Sequence, residues 1–293
     1  MKKNKNLLIN IILYIGLILL AAGTLFPFVN SLAISFNRAY DTARGGIYLL
    51  PRELTFENYR IIFKFPDLQN AFIVTIARTV LGTLTGLLFT GMFAYGMSKQ
   101  NLKGKKVYMG MALFTMYFGG GLIPYYLLLR SMQLIDHFAV MVIPYFINVF
   151  YMIIMRTYFK SLPVAIEESA KMDGAGIFTI FFKIIVPLSG PILATIALFI
   201  GVFHWNAWFD ANLFVFKDQL KPLQIVLVKI INSTMIDSAL SSAGATNLSL
   251  QKIVNIRSVT ASTMMVTVIP IIMVYPFLQK YFVKGIMIGA VKG

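Results

Sequence analysis

Six stretches of this chain are nearly long and apolar enough to cross a bilayer, and they restrict its fold more than any motif it carries. A spanning helix needs about 20 predominantly apolar residues, and Leu7–Ile34, Leu68–Met97, Tyr108–Leu129, Phe138–Met155, Pro187–Trp208 and Ala261–Phe282 approach that length. In hydrocarbon a backbone N–H or C=O has no water to bond, so such stretches fold as helices that satisfy their own backbone. With 58% hydrophobic and 13% charged residues over 293, there is more apolar surface than a soluble core would bury. The expectation is an all-α polytopic membrane protein, a single transmembrane domain over residues 1–293 with six spans.

Charge sets the expected orientation. The net charge of +15 does not point to nucleic acid, because the basic residues lie in loops between apolar runs and form no continuous stripe. With six crossings both termini fall on one side. That side holds Lys2, Lys3, Lys5, Lys99, Lys103, Lys105, Lys106, Arg156, Lys160, Lys171, Lys183, Lys280, Lys284 and Lys292, against only Glu167, Glu168 and Asp173. Such an excess marks the cytoplasmic face. The first span runs through Phe26-Pro27-Phe28 without a small-residue cleavage site, so a retained helix is expected rather than a signal peptide. The chain has no cysteine, which excludes disulfides and thiol chemistry, and His137 and His204 are too few and too far apart to suggest a metal site.

Two outer segments break the pattern. Thr55-Phe56-Glu57-Asn58-Tyr59 reads as the capped start of a short amphipathic helix. The run Pro222–Ile231 is too short to span and reads as interfacial or re-entrant, followed by a Ser, Ala and Asn-rich loop through Asn247.

The longest inner loop, residues 158–186, is where a soluble partner would act. Ser161-Leu162-Pro163 supplies capping and helix-start chemistry, Ala165–Met172 favours helix, and Asp173-Gly174 stops it. The expected product is a short helix on the membrane surface. Ala170 and Gly174 would let a partner approach closely, Glu167 and Glu168 would meet its basic groups, and Pro187 would start the next span. On these residues alone, an ordinary connector is an equal reading.

The spacing adds to this. Glu168-Ser169-Ala170, three residues, Gly174, nine residues, then Ile184-Ile185-Val186-Pro187 resembles the coupling-loop signature of permease subunits of ABC importers, with Ser169 and Val186 as departures of similar size. Leu54–Tyr59, Gly119-Gly120-Gly121-Leu122-Ile123-Pro124, His204–Asp210 and the ending from Tyr275-Pro276-Phe277 to Gly293 resemble the carbohydrate branch, nearest to the maltose-permease-like partner of a heterodimeric pore. The resemblance implies the type I importer permease fold and a coupling helix that seats in an ATPase groove. Its coupling residues would be Glu167, Glu168, Ser169, Ala170, Asp173, Gly174, Ala175, Gly176 and Pro187. It also implies a second permease subunit, two ATPase subunits that bind ATP and Mg, and an extracellular solute-binding protein. It carries an ATPase contact to the tail, 283–293, through Lys284, Gly285, Gly289, Lys292 and Gly293. Read from charge alone, that tail is a topological anchor.

Candidate cargo-path residues follow from polarity within the spans. Arg78 is the one clear intramembrane charge, on a face shared with Thr75, Thr79, Gly82 and Thr83. It suits an anionic sugar, and it equally suits snorkelling or a pair with Asp210. His204, Trp205, Asn206, Trp208 and Asp210 combine aromatic faces with hydrogen-bonding groups, as sugar binding requires and as an interfacial belt also provides. Gly119–Gly121 and Pro144, with Tyr145 and Asn148 nearby, are expected to bend the third and fourth spans. No nucleotide-binding GxxxxGK[ST] motif occurs, so the chain itself is not expected to be an enzyme. An amino-acid or peptide permease and a non-transport scaffold are the rival readings.

Overall fold

The computed structural model describes residues 2–65, 67–242 and 255–290, and among them regular structure is helical apart from one isolated antiparallel bridge, Asn37 with Leu54. In chain order the helices are α1 (Lys2–Ser35), α2 (Ala39–Ala43), α3 (Glu57–Phe63), α4 (Asp67–Ser98), α5 (Lys105–Tyr117), α6 (Leu122–Ser131), α7 (Val149–Ser161), α8 (Val164–Met172), α9 (Ile177–Ile180), α10 (Val186–Leu188), α11 (Gly190–Asn206), α12 (Phe209–Phe214), α13 (Leu223–Ser242) and α14 (Ile256–Ala290).

Among the described residues three helical stretches are long and apolar enough to cross a membrane unaided: Ile9–Ser35, Asp67–Ser98 and Ile256–Val274. Three bent pairs raise the number to six if each is one span. Lys105–Tyr117 meets Leu122–Ser131 at 115°, Phe138–Tyr145 meets Val149–Ser161 at 45°, and Ile177–Leu188 meets Gly190–Asn206 at 86°. The sequence accounts for each break. Gly121 takes φ +90 at the start of α6, a conformation that disfavours a Cβ. Asn148 ends the 3₁₀ turns around Pro144 and caps α7, its side-chain oxygen accepting the Tyr151 N–H at 3.1 Å.

The third break corrects an expectation. Pro187 does not begin the fifth span. It lies in α10, beyond a π-helical turn at Phe181–Ile185, and the bend falls at Ser189, with Pro191 in the first turn of α11. The signal was present: Gly190-Pro191 is a stronger start than Val186-Pro187, because a proline fits the first helical turn where its missing N–H costs nothing. Three further boundaries move. Ser161 caps nothing ahead of it, since its hydroxyl turns back to the Tyr158 carbonyl at 2.7 Å, and Pro163 takes the cap position of α8. The helix after Pro222 continues through the Ser and Ala-rich stretch to Ser242, while Asn247 lies outside the described residues. The last helix starts at Ile256 and passes Phe282 without a break.

The chain divides into two compact units, residues 1–68 with 226–270, and 69–225 with 271–293. In the first, Ala33, Ile34, Ile47 and Ala261 form a small core. Beside it, the Asn37 amide donates to Asp41 and Thr42, and Arg52 Nε donates to Asp41 at 2.8 Å. The Asn58 amide donates to the Ser35 and Asn37 carbonyls. This network gives the polar segment between α1 and α4 a fixed shape.

The second unit is organised on α4. In lipid, helices gain nothing by hiding apolar surface from each other, so close packing and polar bonds must hold them. Gly82 faces the His204 ring so closely that a Cβ there would collide with it, and a Cβ at Gly86 or Gly91 would crowd Ile200 at 3.3 Å or Met155 at 3.1 Å, so both neighbours come closer than an alanine would comfortably allow. The small residues of α4 thus bring it against α11 and α7. Toward one end of α4, Ala94, Tyr95, Met97, Met152, Met155, Phe159, Phe181 and Ile185 form the main core. Toward the other, Val74, Leu129, Met141, Ala211 and Phe214 form a second.

Candidate functional site

The 158–186 loop folds as a surface helix with a sharp exit. The Ala175 N–H donates to the Ala170 carbonyl at 2.9 Å and the Gly174 N–H to the Lys171 carbonyl at 3.0 Å, the pair of bonds that closes a helix around a left-handed residue. Gly174 supplies that residue at φ +81, which a Cβ would strain. Gly176 is extended and caps α9.

The inward and outward faces of α8 differ from expectation. Glu167 and Ala170 are three apart and share the inner face. Ala170 is buried in the main core, so it does not offer a surface to a partner. Glu167 forms an ion pair with Lys99, one residue beyond the end of α4. Burial lowers the Lys99 ammonium pKa, the Glu167 carboxylate opposes that shift, and the like charge of Lys171 adds to it. Glu168, Ser169, Asp173, Gly174 and Gly176 are exposed and Ala175 is half-buried. The same segment exposes apolar side chains that the sequence reading missed: Val164, Ile177 and Phe178 are exposed, and Met172 is 87% exposed. The signal was their apolarity in a loop bounded by basic residues, where nothing in a spanning pattern calls for it. An exposed apolar patch with a polar border is the ordinary mark of a protein partner.

A second constellation lies near the other end of α4. Arg78 is fully enclosed, its Nη2 paired with the Asp210 carboxylate and its Nη1 donating to the Ala207 carbonyl at 3.0 Å. An arginine at the centre of a span costs about 2.5–3.5 kcal/mol on insertion scales, and these two acceptors offset that cost. Of the roles open to Arg78, the structure realises the ion pair. The second Asp210 oxygen accepts the Ala211 N–H at 2.8 Å, and Thr75 accepts the Leu223 N–H at 2.8 Å. The segment after α11 is thereby tied to α4.

The aromatic cluster divides. His204 is buried between Gly82 and Tyr145, with ring centroids 5.6 Å apart for the latter pair. Both its nitrogens, like the Thr79 and Thr83 hydroxyls, lack a hydrogen-bond partner among the described residues. Trp205 and Tyr145 are half-buried. Asn206 and Trp208 are exposed, the Asn206 amide donating to the Val202 carbonyl at 2.9 Å, and Trp208 stands edge-on to Phe209. Asn148 is exposed at the cap of α7. Of the tail residues, Lys284, Gly285 and Gly289 lie on the helical backbone of α14, while Lys292 and Gly293 lie outside the described residues. Among the described residues no three His, Asp or Glu side chains gather as metal ligands.

No protein-family model matches the chain. The polygalacturonan/rhamnogalacturonan transport system permease protein YtcP of Bacillus subtilis (strain 168) is 34% identical over 290 residues, 99% of this chain and 100% of that protein. The chain belongs to the permease subunits of carbohydrate ABC importers. Protein LplC of Bacillus subtilis (strain 168) is 36% identical to this permease over 96% of the chain and 93% of its own length. A solved bacterial ABC transporter, involved in the import of the acidic polysaccharide alginate, contains a chain with a TM-score of 0.85 to the permease and 31% identity, over 95% of this chain and 98% of that one. The permease is accordingly a multi-pass membrane protein, and its ATPase is a separate subunit.

Proposed function

We propose that the permease takes up oligosaccharides or polysaccharide fragments, forming half of a heterodimeric pore that works by alternating access. The observation that carries the cargo class is end-to-end similarity to YtcP, named for polygalacturonan and rhamnogalacturonan transport, together with the fold shared with an alginate importer. Cargo arrives from an extracellular solute-binding protein, both termini lie in the cytoplasm, and ATP with Mg is bound by two partner ATPase subunits. Residues 158–186 form the coupling loop and 283–293 a second ATPase contact. Support for the coupling role comes from the exposed apolar side chains of Val164, Met172 and Phe178 in the segment of the Gly174 turn, which present a docking face while Ala170 roots the helix in the core.

The cargo path runs past Trp208, Asn206 and Asn148, whose exposed groups suit a sugar's apolar and hydroxyl faces. Arg78, Asp210, Tyr145, His204 and Trp205 shape the wall behind them. The unpartnered nitrogens of His204 and hydroxyls of Thr79 and Thr83 are groups a cargo hydroxyl would satisfy once the spans part. In the purified complex with its binding protein, ATP hydrolysis is expected to rise with one saccharide among a panel of neutral and acidic oligosaccharides. No stimulation by any saccharide, with stimulation by peptides or amino acids, would overturn the cargo class.

A further inference from the structure

The Lys99 side chain is held from two sides. Its ammonium pairs with Glu167 and lies 3.6 Å from the centre of the Tyr95 ring, and its own backbone is the first residue past the end of α4. The ion pair is only partly open to solvent, with the two side chains 23% and 18% exposed. Tyr95 is buried and packs against Phe159 of α7 and against Phe181 of the π-helical turn, with centroids 6.3 and 5.3 Å away. The same end of α4 is gripped by Arg156 of α7, whose Nε donates to the Met97 carbonyl at 3.0 Å. A helix C-terminus carries unpaired carbonyls and a partial negative charge, so cations gather there. Lys99 uses its backbone to end α4 and its side chain to reach α8.

We propose that the Lys99–Glu167 pair, seated on the Tyr95 ring, is the positioning link through which displacement of the surface helix α8 is carried into the span α4. Apolar contact through Ala170 keeps α8 near the core but lets it slide, because dispersion contacts have little direction. An ammonium fixed between one carboxylate and one ring face permits far less sliding. The α4 span is a suitable recipient, since its Gly82, Gly86 and Gly91 pack against α11 and α7. Motion delivered at Lys99 therefore reaches the helices around Arg78 and His204 through close contacts. This inference rests on the coupling role proposed above for α8.

The test uses the whole importer reconstituted in lipid vesicles, comparing wild type with Lys99→Met, Glu167→Gln, Lys99→Arg and the reversed pair Lys99→Glu with Glu167→Lys. Three quantities are read: ATPase subunits retained on purification, ATP hydrolysis, and cargo taken up per ATP. Lys99→Met and Glu167→Gln are expected to keep the ATPase bound and to lower uptake per ATP about tenfold. Lys99→Arg, which keeps both the charge and the ring contact, is expected to restore most of it, and the reversed pair at least part. Uptake per ATP at the wild-type value in both single variants would overturn the link, as would loss in Lys99→Arg equal to that in Lys99→Met. If Lys99→Met does not assemble, Glu167→Gln decides, because it lies on the surface helix outside the spans. A wild-type complex that hydrolyses ATP without moving cargo, or holds no ATPase, would remove the coupling reading itself and the link with it.

Discussion

Two of the ion pairs that hold α4 to its neighbours differ in how they meet solvent. Arg78–Asp210 is sealed, with side chains 0% and 6% exposed, and ties α4 to α12. Lys99–Glu167 is a quarter open and ties the end of α4 to the surface helix α8. A sealed pair cannot be exchanged for water, so breaking it strands a charge. A partly open pair can be remade while water covers the gap. The first suits a fixed joint and the second a joint that moves, and both are placed by small or polar residues in one long helix.

Breaking the sealed pair is expected to give the largest effect. Arg78→Leu or Asp210→Leu should destabilise the permease by about 3–5 kcal/mol, because each leaves an uncompensated buried charge, whereas the double variant should recover most of that loss. Thermal unfolding of the complex in detergent checks this, and equal loss in the double variant would show that the pair is more than a joint. Next in size is Gly82→Ala. A Cβ there collides with the His204 ring and should cost about 1–3 kcal/mol, while Gly96→Ala, which meets nothing within 4 Å, should cost little. The same unfolding assay separates them.

Smaller in stability but large in function is Gly174→Asp. A left-handed residue with a side chain costs roughly 1 kcal/mol, less for Asp than for most, and the added charge falls in the segment that exposes apolar side chains. Insertion should survive and uptake should fall severalfold; normal uptake would remove the coupling role of the turn. Met172→Glu changes a side chain that is 87% exposed and should leave stability within about 0.5 kcal/mol, while ATPase retention on purification falls. Wild-type retention would show that these apolar side chains are not the docking face.

The smallest effect concerns pH. The Lys217 and Phe216 N–H groups donate to Asp136 at 2.9 Å, and with the Lys217 ammonium they hold its carboxyl below the usual range. A carboxylate depressed on folding stabilises above its unfolded value of about 3.9 and loses that contribution as pH falls through the lower folded value. Asp136→Asn should therefore flatten the acid limb of the unfolding temperature below about pH 4, and an unchanged limb would assign that dependence elsewhere.

The sequence by itself determined the class, the six apolar stretches and two of the three breaks. Length and apolarity suffice for spans because hydrocarbon leaves the backbone no alternative, and Gly119–Gly121 and Pro144 bend their helices through local backbone chemistry alone. The Gly174 turn was legible for the same reason. What only the tertiary structure decided is which way side chains face. Glu167 and Glu168 are adjacent in sequence, yet one pairs with Lys99 and the other meets solvent, because α8 is rotated by the burial of Ala170 against helices far along the chain. His204 and Trp208 parted for a similar reason: the end of α11 at Asn206 turns the chain, so Asp210 returns to Arg78 while Trp208 stays outside. Local pattern marks turns such as Gly119–Gly121 and Gly174, but the rotation of a helix is set by partners that pattern does not name.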